Sequence, residues 1–278
     1  TVVVAAADVS LVGPHSLPGR RVLAEVTTLA EARSALAAGA HGLVAKGAES
    51  GGRVGEETAF VLLQRLVAAV DGPIWLLGGI GLDTAAAAIV GGARGVVLDA
   101  QLALARDASL PPDVRAAIAG MDGSETVVVG GHRLFARPDL DLPAPDTAPA
   151  QVAARLGADD LRAQLLPVGQ DGSFARPLAD RYKTAGGIVQ AVRASIADHV
   201  AVARELRPLA PGAGTAASRD PTHPIAQGPM TRVSDRSGFA AAVAGGGALP
   251  FLALSLMRAD EIRVLLAEKQ LAFELIEE

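Results

Sequence analysis

Short apolar runs separated by helical patterns fill the first 105 residues, and they limit the fold more than any other feature. The runs are rich in β-branched residues and lie at Val2–Ala5, Val22–Val26, Gly42–Ala45, Pro73–Leu77 and Gly95–Leu98. AAGAHGLVAKG (37–47) and VGGARGVVLDA (90–100) repeat one unit, a helix end followed by a Gly-Ala turn and a buried strand. Buried strands that alternate with helices are typical of a parallel sheet covered on both faces, so the sequence predicts an α/β fold.

Helix start and stop signals lie between these runs. Thr28 precedes Glu31 at capping-box spacing, and Gly39 is placed to end the helix that this pair begins. Asp83 is predicted to cap the alanine-rich stretch 84–90. Both signals place a helix directly after an apolar run, as β/α units require.

The pattern changes beyond residue 111. PDLDLPAPDTAPA (138–150) is a connector rich in proline and aspartate, and residues 151–206 carry helical patterns. APGAGTAASRDPTHP (210–224) is typical of a flexible linker. We therefore expect a helical segment inserted between two β/α series.

A second β/α series begins near residue 224. Its predicted parts are a strand and turn in PIAQGPM (224–230), a helix at Ser237–Ala244, a strand within 245–256 and a helix over 258–269. A closed (β/α)8 barrel needs about 250 residues, and neither series is that long. The sequence thus predicts a TIM-barrel-like α/β fold that is a partial or composite barrel with an inserted helical segment.

Two arrangements of such a chain remain open. We favour an incomplete first barrel, whose open sheet edge would favour association into a homo-oligomer. The alternative is a composite barrel in which Pro224–Ala226 pairs with Gly95–Leu98.

Composition excludes several classes of function. The net charge of -5 provides no basic surface for nucleic acid or an anionic membrane, and the absence of cysteine removes disulfides and thiolate chemistry. No apolar run approaches the roughly 18 residues of a membrane span. We therefore expect no nucleic-acid or membrane partner, no metal site, and a cytoplasmic location.

GGIG (78–81) follows an apolar run and precedes a predicted helix. Exposed amides before a helix are suited to binding a phosphate group, and the loops after strands 7 and 8 of a TIM barrel are its usual place. A tight turn that needs glycine for its backbone conformation is the other interpretation. On the residues alone, both stay open.

AKGAESGGRVGEET (45–58) is a second loop rich in glycine, and it contains Lys46 and Arg53. Its backbone can approach a neighbour closely, and Arg53 can hold an anionic oxygen but cannot abstract a proton. Lys46 follows a strand, where it could stabilise negative charge. The alternative is that Lys46 extends to solvent and Arg53 pairs with Glu56 or Glu57.

Several of these pieces resemble the nitronate monooxygenase family, whose members are FMN-binding TIM barrels and include enoyl-acyl-carrier-protein reductases. Residues 20–52 are similar to the family's strand 5 through its Gly-Gly loop, PIWLLGGIG (73–81) to strand 7 and GARGVVLDAQLALA (92–105) to strand 8. Residues 223–254 resemble the start of such a barrel. Since the barrel end comes first, the chain resembles the junction of two tandem barrels at the front of some multidomain type I polyketide synthases.

The resemblance implies a division of the chain and a set of ligands. Residues 1–137 would be the C-terminal half of an FMN-binding-type β/α barrel, 138–223 a linker and helical segment, and 224–278 the start of a second barrel. FMN would be the cofactor, and NAD(P)H a candidate electron donor. The substrate would be a small molecule or an acyl group on a carrier protein, and the partners would be other domains of a synthase.

The resemblance also implies site residues. It makes Lys46 and Arg53 the candidate catalytic residues, although the family usually has a histidine where this chain has Arg53, so nitronate oxidation is not expected. The implied cofactor-binding residues are Lys46, Gly47, Gly51, Gly52, Gly78, Gly79, Gly81, Asp99, Ala100, Gln101, Gln227, Gly228, Pro229 and Met230. Asp99 departs from the family, because an aspartate repels phosphate unless it turns away to cap the next helix.

Two rival functions remain. The chain could be a catalytically silent scaffold within a synthase. It could also be an aldolase-type barrel in which Lys46 forms an imine with a carbonyl substrate.

Overall fold

The computed structural model describes residues 1–10, 19–211, 213 and 222–267, and the chain divides into two compact units, Thr1–Val200 and Ala201–Glu278. All five apolar runs of the first series form strands. The strands of the first unit are β1 (Val2–Ala5), β2 (Val22–Val26), β3 (Gly42–Lys46), β4 (Gly52–Arg53), β5 (Ile74–Leu77), β6 (Gly95–Val97), β7 (Thr126–Val129) and β8 (His132–Phe135). Its helices are α1 (Leu29–Ala37), α2 (Ala59–Ala69), α3 (Ala85–Val90), α4 (Pro112–Ala119), α5 (Pro149–Ala153), α6 (Ala175–Tyr182) and α7 (Ala185–Leu206), the last of which continues past residue 200.

Five parallel strands form the main sheet, in the order β1-β2-β3-β5-β6. Each β/α step places the next strand beside the previous one, as in a TIM barrel. The described part of the first unit therefore has an open, barrel-like sheet with β1 and β6 at its edges, and no closed barrel.

One face of this sheet packs against α1, α2 and α3 and forms the main core. Its fully buried members include Val26, Leu43, Leu62, Leu66 and Leu76. Burying a side chain of this size contributes about 1.5–3 kcal/mol relative to leaving it exposed. This helix-covered face therefore carries the largest apolar cluster of the described residues.

The opposite face of the sheet, here called the inner face, carries the alternate residues of each strand. Leu23, Val44 and Leu77 form a small apolar cluster on it, with Trp75 and Val97 packed alongside. This cluster lies below the carboxyl ends of the strands.

Two glycines make room for the indole of Trp75. A Cβ at Gly95 would lie 2.6 Å from Trp75 Cδ1 and Nε1, and a Cβ at Gly42 would lie 3.0 Å from Cζ3. These are the strand glycines of the repeated AHG and ARG turns, so their role is steric.

A second, antiparallel sheet of order β4-β8-β7 was not expected from the sequence. The β7–β8 hairpin turns at Gly130 and Gly131, whose φ angles are +52° and +70°. Such a pair is typical of the turn that joins two antiparallel strands. Arg53 of β4 pairs with His132 of β8, so this sheet fixes the position of the glycine-rich loop.

Residues from the end of β8 to residue 200 contribute to the core of the first unit. Leu161, Leu166 and Val168 share a core cluster with α4 and with Phe135. Ile188 of α7 packs with Leu178 in a further cluster. The predicted helical segment is thus part of the first unit's core up to residue 200.

The second unit contains α8 (Ser237–Gly245) and α9 (Ala259–Ala267). Ala226 and Leu249 form an isolated parallel bridge, and α8 lies between them in sequence. This is one β/α/β step, as predicted, but the strand expected within 245–256 is reduced to that bridge. Pro250 has no N–H to extend the pairing.

Two capping predictions have different outcomes. The capping box is confirmed, since Glu31 N donates to Thr28 Oγ1 at 3.1 Å. The Asp83 cap is wrong: α3 begins at Ala85, and the exposed Asp83 carboxylate lies 3.4 Å from His199 Nε2. Thr84 closes the preceding loop instead, as described below.

The predicted linker at 210–224 lies largely outside the described residues, as does the end of the helix predicted over 258–269. Across the ranges that are described, every helix is too short or too polar to cross a membrane.

Candidate active site

Charged side chains gather at the carboxyl edge of the parallel sheet. Lys46 ends β3, Glu25 lies near the end of β2, and Asp99 follows β6. Lys46 Nζ lies 3.3 Å from Glu25 Oε1, and the lysine side chain is 9% exposed. Lys46 is therefore buried and paired rather than extended into solvent. In barrels of this type, the carboxyl edge is where active-site side chains lie.

Asp99 belongs to the same electrostatic group. Burial raises the pKa of its carboxyl group, the Lys46 ammonium lowers it, and Glu25 raises it again, with a net increase. Asp99 makes no side-chain hydrogen bond to the short helical turn that follows it. The carboxyl group therefore does not act as the helix cap that its position suggested.

Arg53 binds a partner that the sequence did not suggest. Its Nη1 lies 2.7 Å from Glu31 Oε1 and its Nη2 lies 3.3 Å from Glu31 Oε2, at the first turn of α1. Burial by itself raises the pKa of Glu31, but hydrogen bonds from Arg53 and Thr27 outweigh it and hold the pKa below its ordinary value. Neither Glu56 nor Glu57, the expected partners, pairs with Arg53 among the described contacts.

The glycines of the 45–58 loop approach the chain's own backbone. A Cβ at Gly51 would lie 2.2 Å from Pro167 O, and a Cβ at Gly169 would lie 2.3 Å from Glu49 O. Gln170 N donates to Glu49 O at 2.9 Å. Residues 167–170 therefore lie directly against the loop, with no room for side chains between the two backbones.

Two other glycines of this loop face neighbouring elements of the first unit. A Cβ at Gly47 would lie 2.3 Å from Ala59 N, whereas Gly52 has a φ of +74° and more space around it. Close packing therefore explains Gly47, and backbone conformation explains Gly52.

The loop 78–81 has the conformation that its glycines permit. Gly78 and Gly79 have φ angles of +119° and +60°, and a Cβ at Gly78 would lie 2.8 Å from Ser50 Oγ. The Glu49 carboxylate also lies beside both glycines and accepts from Ala59 N at 3.1 Å. The acidic side chain of Glu49 thus covers loop 78–81, which the sequence analysis proposed as a phosphate-binding loop.

Oxygens of the chain already engage amides of both candidate phosphate loops, 78–81 and 99–101. Gly81 N donates to Thr84 Oγ1 at 2.8 Å, and Asp99 N donates to Gln101 Oε1 at 2.8 Å. The N–H of Gly79 hydrogen-bonds the Asp171 carboxylate.

Gln101 is fully buried and joins three segments. Its Nε2 donates to Ile80 O at 2.9 Å and to Asp171 Oδ2 at 3.3 Å. Ala100, the middle residue of its loop, packs against the core cluster that contains Leu166. Gln101 therefore holds the two loops and Asp171 together.

Asp171 is the most perturbed acid of the described residues. Its pKa is raised to about 7: burial is the largest cause, the negative charges of Asp99 and Glu49 act in the same direction, and the Gly79 hydrogen bond opposes them. Arg133 is the cation nearby: burial lowers its pKa, and the charges of Glu49 and Asp171 raise it. A cleft of about 350 Å³ opens beside this group and is lined by Glu49, Gly79, Asp122, Gly123, Gln170, Asp171, Ser173 and Phe174.

The remaining sequence-predicted residues lie in the second unit. Gln227 N donates to Leu249 O at 2.9 Å, and Phe251 N donates to Gln227 Oε1 at 3.1 Å. Met230 is 43% exposed, and a Cβ at Gly228 would meet nothing within 4 Å. With Pro229, these residues form an open turn after Ala226, and their role toward a cofactor stays a prediction.

A family model described as nitronate monooxygenase matches residues 4–133. This part of the chain is similar to the nitronate monooxygenase family. The match covers the main sheet from the second half of β1 onward, loops 78–81 and 99–101, and both candidate catalytic residues. It confirms the resemblance seen in the sequence; the polyketide synthase junction remains a prediction.

Solved structures are similar to this chain in fold. FabK from Thermotoga maritima is 24% identical, with a TM-score of 0.62 over 73% of this chain and 70% of that chain. Nitroalkane oxidase from Streptomyces ansochromogenes is 23% identical, with a TM-score of 0.55 over 72% of this chain and 63% of that chain. These likenesses confirm the TIM-barrel-like α/β fold. No curated protein sequence matches the chain.

FMN, the cofactor that the nitronate monooxygenase family implies, can be tested against loops 78–81 and 99–101. Ser50 Oγ and Asp171 Oδ1 are buried there without a hydrogen-bond partner among the described residues. The hydroxyl could donate to a phosphate, but the amides of Gly79, Gly81 and Asp99 are already engaged. The carboxyl groups of Glu49, Asp99 and Asp171 also lie around these loops, and their negative charge would repel a phosphate. In this arrangement the loops do not fit the FMN phosphate, and no reaction step is derived through it.

Glu49, Arg133 and Asp171 were missed in the sequence, although they shape this site. Glu49 lies within the glycine-rich loop and could have been considered from its position. Asp171 and Arg133 carry no local signal, because their importance comes from contacts with residues far away in the chain. Groups of acidic or histidine residues arranged to hold a metal ion are absent from the described part of the chain.

Proposed function

We propose that this chain is part of an FMN-type oxidoreductase of the nitronate monooxygenase family that acts on acyl-thioester-like substrates within a multidomain synthase. The family match of residues 4–133 supports an FMN-type oxidoreductase. The acyl-thioester substrate, NAD(P)H as electron donor and the synthase context are the finer part of the proposal.

The buried Lys46 is the observation that carries the proposal. It places a positive charge at the carboxyl edge of the inner face, beside Glu25 and near Asp99. A fixed ammonium in a buried site can stabilise negative charge that develops on a neighbouring group. Asp99 belongs to the same group of charges, and burial raises the pKa of its carboxyl group.

Arg53 has a structural role in this proposal. Its guanidinium is held by Glu31 through two hydrogen bonds and stays protonated, so it is not a base. We therefore expect slow oxidation of simple alkyl nitronates, because a histidine in this position is what the family reaction uses.

The test is to purify the protein under mild conditions and record its visible absorption. A flavin spectrum, together with reduction of an enoyl thioester that depends on NADH or NADPH, supports the proposal. A colourless protein that FMN does not stabilise against heat contradicts it. Lys46→Gln should lower turnover more than Lys46→Arg, because only the latter keeps the charge.

A second candidate is a catalytically silent scaffold. The engaged amides of loops 78–81 and 99–101 favour it, since they leave no ready site for the FMN phosphate. The same absorption measurement separates the two candidates: the scaffold predicts a protein without flavin and without reductase activity. The imine-forming alternative is tested by borohydride trapping with a carbonyl substrate, which should modify Lys46.

A further inference from the structure

Asp171 reaches loops 78–81 and 99–101 from a distant part of the chain. It lies in the turn Gln170–Phe174. Its carboxylate accepts hydrogen bonds from Gln101 Nε2 and from the backbone N–H of Gly79. Only 2% of Asp171 is exposed. A carboxylate and a phosphate use the same donors, namely backbone amides and side-chain N–H groups.

We infer that the Asp171 carboxylate is an internal anion that occupies the Gly79 amide of loop 78–81 and the side-chain amide of Gln101 in loop 99–101, so that residues 167–174 exclude phosphate groups from this site. This inference goes beyond the proposed function, because it concerns any ligand with a phosphate group. It explains why loops of a phosphate-binding type are surrounded by carboxyl groups here.

The backbone contact between Gly51 and Gly169 fixes where Asp171 lies. A Cβ on either glycine would overlap the opposite backbone, at 2.2 Å and 2.3 Å. Gln170 N donates to Glu49 O next to this contact. The segment therefore enters the site in one register, which brings Asp171 to Gly79.

Charge makes the exclusion dependent on pH. The groups that act on the Asp171 carboxyl are Asp99, Glu49 and Arg133, and Lys46 acts through Asp99. Arg133 is already engaged, because Nε donates to Ala48 O and Nη1 to Thr126 Oγ1. Protonation of Asp171 would remove one negative charge from the site and weaken the exclusion.

Sulfate is the best probe, since its charge is constant near neutral pH whereas that of phosphate changes. Its affinity for the whole chain is measured by calorimetry at about pH 8 and about pH 6 in the wild type, Asp171→Asn and Asp180→Asn. Asp180 is an exposed residue of α6 and serves as the matched control.

Asp171→Asn should bind sulfate at least about tenfold more tightly than the wild type at about pH 8, in line with the loss of a neighbouring like charge. The wild type should approach the variant at about pH 6, and Asp180→Asn should behave as the wild type. Equal affinity of Asp171→Asn and the wild type at both pH values overturns the inference.

If Asp171→Asn does not fold, Gly169→Ala gives a second test. Its Cβ should displace residues 167–171 from Glu49 and open the loops, so it should also bind sulfate more tightly. Wild-type affinity for the anion overturns the inference here too. Flavin absorption does not enter either test, so a protein without flavin contradicts the proposed function and leaves the sulfate result standing.

Discussion

Arg53 and Glu31 tie the glycine-rich loop after β3 to the first turn of α1, through two hydrogen bonds of 2.7 and 3.3 Å. The same carboxylate accepts from Thr27 N at 2.8 Å. One side chain thus completes a helix cap and holds the candidate catalytic arginine. We therefore expect that loss of the Glu31 carboxylate destabilises both the glycine-rich loop and the start of α1.

Glu31→Gln should lower the free energy of unfolding by about 1 kcal/mol at neutral pH, since it weakens a half-exposed ion pair and a cap. The pKa of Glu31 is lowered in the folded state, so its contribution is present above the ordinary value of 4.5 and is lost as the pH falls through the lowered pKa. Urea unfolding at about pH 7 and about pH 3 checks this. Glu56→Gln, at an exposed position, is the control, and equal stability of the two variants at neutral pH would count against the role of Glu31.

Asp171 should make the protein less stable as the pH rises. Its pKa is about 7 in the folded state and 3.8 ordinarily, so the folded chain binds an extra proton between these values. The contribution is fully present below about pH 4 and falls by about 1.4 kcal/mol per pH unit up to about pH 7. The difference in unfolding free energy between the wild type and Asp171→Asn should follow this slope. A difference that does not vary with pH would show that Asp171 does not titrate in this range.

Lys46→Gln should cost about 2 kcal/mol of stability, because it leaves the Glu25 carboxylate without its partner near Asp99. The double variant Glu25→Gln/Lys46→Gln should recover part of this loss, since the uncompensated charge is gone. Chemical denaturation of the two single variants and the double variant measures the coupling. Additive losses would mean that the two side chains do not interact.

Gly95→Ala should destabilise the protein by about 1–3 kcal/mol, since the added methyl group overlaps the indole of Trp75 at 2.6 Å. Gly186→Ala is the control, because a Cβ there meets nothing within 4 Å. Thermal unfolding measures the stability of both variants. A Gly95→Ala variant as stable as the control would refute the steric role of Gly95.

The strands of the first series could be predicted because each of them is a separate apolar run between helix signals. Thr28 and Glu31 could likewise be recognised, since a capping box involves residues three apart. The antiparallel sheet was missed because β4 has only two residues and pairs with β8, which lies about 80 positions further along. Local patterns do not contain such pairings.

The candidate site shows the same limit. Lys46 could be placed at the carboxyl end of its strand, but its partner Glu25 depends on the register between β2 and β3. The glycines at 51, 78 and 79 were recognised as sites of close approach. What they approach is the chain itself, through Pro167, Glu49 and Ser50, and this could not be read from the loop alone.

Trp75 is the only tryptophan of the chain, and it lies on the inner face between Gly42 and Gly95. Its emission therefore arises from one place in the protein, next to the strands that carry Lys46 and precede Asp99. Any ligand, domain or second copy that covers this face changes the polarity around a single indole. The fluorescence of Trp75 can therefore report on closure of the barrel-like sheet without an added label.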